Sequence, residues 1–183
     1  MEIVSIFDIH NQGLFSIEYD NEPTNEFDRL FALWNDIDSL EEFFHTHQKD
    51  LSNTSFYGPI SVEDAISRTM EDRKEFQKRL FEIAKNDPKK TKHLDDYFQP
   101  LNNIYYKSTD LEEYKAYGTL IDSWIRLYAI KVEANYYVIS GGAIKLTKSM
   151  KDRAHTQKEL EKLTTCRDLL RSLGIYDKDG LKQ

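Results

Sequence analysis

Residues 120–146 constrain the fold more than any other stretch of the chain. Trp124, Arg126, Tyr128 and Ile130 alternate with Ile125, Leu127, Ala129 and Lys131, the period-two pattern of a strand. Glu133-Ala134-Asn135 then turns the chain, and Tyr136-Tyr137-Val138-Ile139 runs back. Gly141-Gly142 interrupts that run, a signal for a bulge or tight bend. Ala143-Ile144-Lys145-Leu146 resumes as a last strand. The spacing predicts a three-stranded antiparallel meander. Beyond it, Thr156 with Glu159 reads as a capping box that opens a final helix. Its stripe is Leu160, Leu163, Cys166, Leu170 and Leu173, and Gly174 is its stop.

The N-terminal half supplies the remaining elements. Residues 2–9 and 14–19 alternate on either side of His10-Asn11-Gln12-Gly13, which reads as a hairpin. An isolated two-stranded hairpin is barely stable in water, so this one is expected to extend the same sheet. Pro23 marks a helix start, and Phe27, Leu30, Phe31 and Trp34 follow at i, i+3, i+4 and i+7. A second helix begins at Asp38 with Glu41 completing a capping box, Ile37 as staple, and Leu40, Phe43, Phe44 and His47 as its stripe. Residues 51–60 read as a loop. Ser61 caps a third helix reaching about Lys85, with Ile66, Met70, Arg73, Leu80 and Ile83 along one side. Residues 93–119 read as irregular, aromatic-rich chain.

These elements predict an α+β fold. It has an antiparallel twisted sheet with an N-terminal hairpin and helical hairpin, an inserted helical region at about residues 51–110, and a C-terminal helix. No repeat or low-complexity linker divides it, so residues 1–183 form one domain. The apolar fraction of 39% and the aromatic fraction of 13% are enough for a core and exclude wholesale disorder. No run approaches the roughly 18 apolar residues of a spanning helix. The N-terminus carries no basic n-region, which predicts a cytoplasmic protein without membrane contact. A single cysteine, Cys166, excludes an internal disulfide framework and a thiolate zinc site.

The net charge of −7 is divided unevenly. Residues 1–119 hold 24 acidic and 13 basic side chains, a balance of −11, while residues 120–183 hold 8 and 12, a balance of +4. An acidic whole disfavours non-specific nucleic-acid binding. A basic segment on an acidic body is compatible with a targeted phosphate site, and equally with a solvated face.

Several motifs fall away on inspection. Glu42-Phe43-Phe44-His45 is one copy of a Glu-x-x-His pair, and the helical di-iron architecture needs two, with further glutamates. His45 and His47 are two apart on a helix and point apart. Glu113-Tyr114-Lys115 fits half of a nuclease site, with Asp95 or Asp96 as upstream carboxylates, but the surrounding residues read as helical. Cys166 sits in a Leu stripe and reads as a core residue. No phosphate loop, dinucleotide fingerprint or nucleophile elbow occurs, so neither a metal nor a cofactor is expected.

What remains is a group of cations: Arg126 and Lys131 on one strand, then Lys145, Lys148, Lys151, Arg153 and His155 after the glycine pair. Such a group can clamp a phosphate and stabilise the charge that develops when a 2′-hydroxyl attacks it. It can equally solvate an edge strand and its loop. In the catalytic reading Arg126 stabilises the phosphorane, Lys145 or Lys148 is the base, Arg153 helps depress that lysine, and His155 is the acid.

Ser123-Trp124-Ile125-Arg126-Leu127-Tyr128-Ala129-Ile130, followed by Tyr136 through Lys148, resembles the core of RelE/ParE-type toxins of bacterial toxin–antitoxin modules. The likeness covers roughly 60 residues: an Arg-bearing strand, a turn, an apolar strand, a Lys-x-x-Lys segment and a Leu-rich helix. Phe-Asp-Arg-Leu-Phe at 27–31 and Trp-Asn-Asp at 34–36 resemble a group of Bacteroidetes proteins with no assigned activity. The toxin resemblance implies a RelE-like scaffold and a cognate antitoxin as partner. It also implies either metal-independent RNA cleavage on the ribosome or, as in ParE, binding to gyrase. By position Arg126 matches the strand arginine, Lys145 and Lys148 match the lysines after the apolar strand, and Tyr176 is a loose match to a C-terminal aromatic. The resemblance leaves two functions open, an RNA endonuclease and a non-catalytic protein-binding module on the same scaffold.

Overall fold

The computed structural model describes residues 1–9, 11–53, 58–85, 92–101 and 111–182. They form an α+β architecture around one six-stranded sheet. The strands are β1 (Glu2–Ile9), β2 (Gln12–Glu18), β3 (Phe98–Pro100), β4 (Glu112–Tyr117), β5 (Ile125–Glu133) and β6 (Tyr136–Ile144), in the order β1-β2-β6-β5-β4-β3. Every pairing is antiparallel except β2 with β6, which is parallel. The N-terminal hairpin thus extends the sheet as expected. A parallel pair arises because α1 (Glu26–Leu33) and all that follows intervene between the two strands.

Residues 120–146 form a two-stranded hairpin, and the third antiparallel neighbour is β4 rather than a strand after the glycines. Gly141 and Gly142 lie inside β6. The expected irregularity is real but sits one residue earlier: Tyr128 pairs with Gly141 and Ala129 with Ile139, so Ser140 is bulged out of register. Residues 112–117, expected to be irregular, are a strand, so Glu113 and Lys115 stand on β4 and not on a helix.

Helices cover both faces. Leu127, Ala129, Tyr137 and Ile139 pack with Phe27, Leu30, Trp34, Leu40, Phe44 and Phe76 from α1, α2 (Ile37–Thr46) and α4 (Val62–Ala84). Tyr128, Ile130 and Val138 pack with Leu163, Cys166 and Leu170 of α5 (Ala154–Ser172) on the other face. Since β5 alternates strictly here, one strand feeds both cores. The short helix α3 (Gln48–Asn53) follows α2. Residues 51–110, expected as a helical insertion, hold the end of α3, α4, a 3₁₀ turn at Leu94–Asp96 and β3. Within them 54–57, 86–91 and 102–110 lie outside the described residues, as does His10.

Local signals explain most boundaries. Asn25 caps α1 by accepting from the Asp28 amide, and Ser61 caps α4 by accepting from the Asp64 amide. In α2 the cap is Asp36, not Asp38: its carboxylate accepts from the Ser39 amide at 3.2 Å, so the helix begins at Ile37. In α4 the buried face is Val62, Ala65, Thr69, Asp72, Phe76 and Leu80, rotated from the expected stripe. The reason is Asp72. Its carboxylate accepts from the Thr119 amide at 2.5 Å, the Leu120 amide at 3.0 Å and the Ser123 hydroxyl. This fixes the β4–β5 turn from beneath.

The expected capping box on α5 is absent. The helix starts at Ala154, and the Thr156 hydroxyl bonds back to the Met150 and Arg153 carbonyls. Glu159 is thereby released from capping and is buried.

Candidate functional site

The register of β4, β5 and β6 decides which cations share a face. Tyr117 stands opposite Arg126, and Arg126 opposite Ala143. Lys115 lies two residues from Tyr117 and Lys145 two from Ala143, so the period of two puts Lys115, Tyr117, Arg126 and Lys145 on the α5 face. This end of the face is left half-exposed by α5.

Arg126 stacks its guanidinium 3.9 Å above the Tyr117 ring, and Lys115 lies 5.8 Å from the same ring. The Arg126 guanidinium also donates to the Ser123 and Ile125 carbonyls at 2.6 and 2.8 Å, which fixes its plane. Lys145 Nζ donates to the Thr147 and Lys148 carbonyls at 2.7 and 2.6 Å. Burial, with the charges of Arg126 and Lys115, holds the Lys145 amine below the usual lysine range. A neutral amine carries two N–H groups and one lone pair; the two carbonyls occupy the N–H groups and leave the lone pair. The Tyr128 hydroxyl, close enough to Arg126 and Tyr117 to feel both, is buried without a hydrogen-bond partner among the described residues.

Arg153 and His155 are not part of this group. Arg153 is tied to Asp50 of α3 by two hydrogen bonds, one of 2.6 Å from Nε, and the pair holds the Asp50 carboxyl below its usual range. The His155 ring packs against Phe43 and His47, with centroids 5.3 and 4.7 Å away. Its Nε2 lies 3.0 Å from the Ile144 carbonyl, which can only accept, so Nε2 carries the proton. Burial lowers its pKa, keeping the ring neutral near pH 7. Lys148 is exposed on the loop after β6, Lys131 bonds Asp95 at the opposite face, and Tyr176 is exposed. The five expected site residues thus split: Arg126 and Lys145 come together, Arg153 bonds α3, His155 packs on the end of α2, and Lys148 contributes its carbonyl. Lys115 and Tyr117 were missed because β4 did not read as a strand.

The half nuclease motif lies on a strand, yet its carboxylates do not converge. Glu113 pairs with Arg167 at 2.8 Å on the α5 face. Asp95 accepts from Tyr137, Lys131 and the Asn135 amide on the other. Among the described residues no group of three or more His, Cys, Asp or Glu side chains could hold a metal ion. Cys166 is buried, and burial pushes its thiol up to about 12.

A second concave feature lies at the other side of β6. The β2–β6 pairing ends at Ser16 and Ile139, so on that edge of β6 residues 142–144 face α1, α2 and α5. The gap is a cleft of about 420 Å³ lined by Leu30, Trp34, Phe43, Gly142, His155 and Glu159, among others. Two glycines are needed here. A Cβ at 141 would overlap the Glu159 carboxylate, and one at 142 would press on Leu30, Trp34 and the Arg126 carbonyl. No helix among the described residues is long and apolar enough to cross a membrane. No protein-family model matches the chain, and no curated protein or solved structure matches it either.

Proposed function

We propose that the chain is the toxin of a toxin–antitoxin module and cleaves RNA without a metal, using the face formed by Lys115, Tyr117, Arg126 and Lys145. The observation that carries this reading is Lys145. A lysine whose amine is lowered by burial and two flanking cations, with its N–H groups held by carbonyls, has the requirements of a general base. It would take the 2′-hydroxyl proton as that oxygen attacks phosphorus. Arg126, always protonated and fixed in plane by Tyr117, stabilises the charge on the non-bridging oxygens. Lys115 stands at the same ring to return a proton to the departing 5′-oxygen. The products are a 2′,3′-cyclic phosphate and a free 5′-hydroxyl.

A second reading, a non-catalytic protein-binding module, is favoured by a different observation. Arg126 and Lys145 both donate to backbone carbonyls of their own loops, as cations with a structural duty do. Expression separates the readings. Induction of the chain in a bacterial host is expected to arrest growth, and co-expression of its neighbouring gene to restore it. Unimpaired growth at high soluble expression would overturn the toxin reading and leave the binding module.

A further inference from the structure

The cleft beside β6 is unrelated to the Arg126 face, and its walls and its polar group specify a ligand. We propose that it binds a small organic cation, a protonated primary amine on a compact apolar body, with Glu159 as the counter-charge. At about 420 Å³ the cleft is within the size range of small-molecule sites. Leu30, Trp34 and Phe43 give it apolar and aromatic walls, which suit both the body and the charge of such a ligand. Glu159 is 6% exposed; Lys162 holds its Oε1 and the Gly142 amide lies beside the carboxylate, while the buried Oε2 makes no hydrogen bond of good geometry among the described residues. An ionised carboxylate only accepts, so what completes this group must donate.

The nearby cations already have partners other than the Glu159 Oε2. Arg29 is held by both oxygens of Glu26, at 2.8 and 2.7 Å. Lys162 is shared between Glu26 at 2.5 Å and the other Glu159 oxygen at 3.2 Å. His155 spends its N–H on Ile144, and His47 faces Asp50. Tyr19 and Tyr128 also feel the Glu159 charge, and burial keeps both phenols protonated. Glu42 also lines the cleft and adds a further negative charge. Aromatic walls with two carboxylates, and with Arg29 neutralised by Glu26, disfavour a carboxylate and favour an ammonium.

The test is a titration of the whole chain with 2-phenylethylamine, followed by the amide resonances of Gly141, Gly142 and Ala143. The comparison probes are 2-phenylethanol and 3-phenylpropionate. The amine, protonated throughout, should saturate at pH 8 and bind about tenfold more weakly at pH 6, where Glu159 is largely protonated. The alcohol should bind at least tenfold more weakly than the amine, and the carboxylate should not saturate. Glu159→Gln should lose at least tenfold and become insensitive to pH. Equal binding of amine and alcohol, saturation by the carboxylate, no saturation by the amine, or unchanged affinity in Glu159→Gln would each overturn the proposal. Should that variant not fold, the wild-type pair of pH values decides: equal amine affinity at pH 6 and 8 overturns it.

Discussion

The carboxylate of Glu159 occupies the space that a side chain at Gly141 would need. One position on α5 and one on β6 are therefore mutually dependent. Gly141→Ala should force Glu159 out and cost about 1–3 kcal/mol, the usual penalty for overpacking. Gly141→Ala combined with Glu159→Ala should lose less than the sum of the two single changes, read by denaturant unfolding. Strict additivity would show that the two do not touch in solution.

Burial is the main cause that raises the Glu159 carboxyl to about 7; the neighbouring Glu26 charge adds to it, and Lys162 and the Gly142 amide oppose it. A carboxyl raised in the folded state binds more protons there than in the unfolded chain. It therefore contributes stability that is complete below the ordinary carboxylate range and lost as pH rises through about 7. His155 runs the other way, its lowered pKa removing stability as pH falls below the usual histidine range. Glu159→Gln isolates the first effect. Its thermal midpoint should exceed that of the wild type at pH 8, with the difference closing by pH 5. A constant difference would place the Glu159 carboxyl in water.

Asp72 is a buried acceptor for two amides and a hydroxyl of the 118–123 turn. Asp72→Ala leaves those donors without partners and should cost about 3 kcal/mol in denaturant unfolding. Loss of amide protection should concentrate at Thr119 and Leu120. A change below about 0.5 kcal/mol would contradict this account.

The split of the cations also has a kinetic signature. Arg153→Ala and His155→Ala should leave RNA cleavage nearly unchanged, because Arg153 is tied to α3 and His155 is packed on the end of α2. Lys145→Ala should abolish cleavage. Cleavage by the wild type should rise with pH as Lys145 loses its proton, starting below the ordinary lysine range. If His155→Ala matched Lys145→Ala, the acid would have to be His155.

Local signals made much of this legible beforehand. Ser61 at the start of α4, the Leu163-Cys166-Leu170 stripe and the strict alternation of β5 each reflect contacts made close in sequence or fixed by periodicity. What failed depended on distant partners. β4 reads Glu-Glu-Tyr-Lys-Ala-Tyr and has strand character only once β5 supplies its neighbour. The face of α4 is turned by a buried aspartate that periodicity assigns to water. Glu159 has the spacing of a capping residue, and it fits inward only because distant Gly141 leaves room for its carboxylate. Of the site, Arg126 was readable because it sits on a recognisable strand, and Lys145 because it directly follows one. Lys115 and Tyr117 were hidden with β4.

The most direct measurement of the central claim is cleavage of a single-stranded RNA by the purified chain in excess chelator, with the ends of the products identified. The account predicts fragments ending in a 2′,3′-cyclic phosphate. It also predicts a loss of about 10²–10³ in rate for Arg126→Ala, with its unfolding midpoint close to that of the wild type. Intact RNA with the folded wild type, or undiminished cleavage by Arg126→Ala, would contradict it.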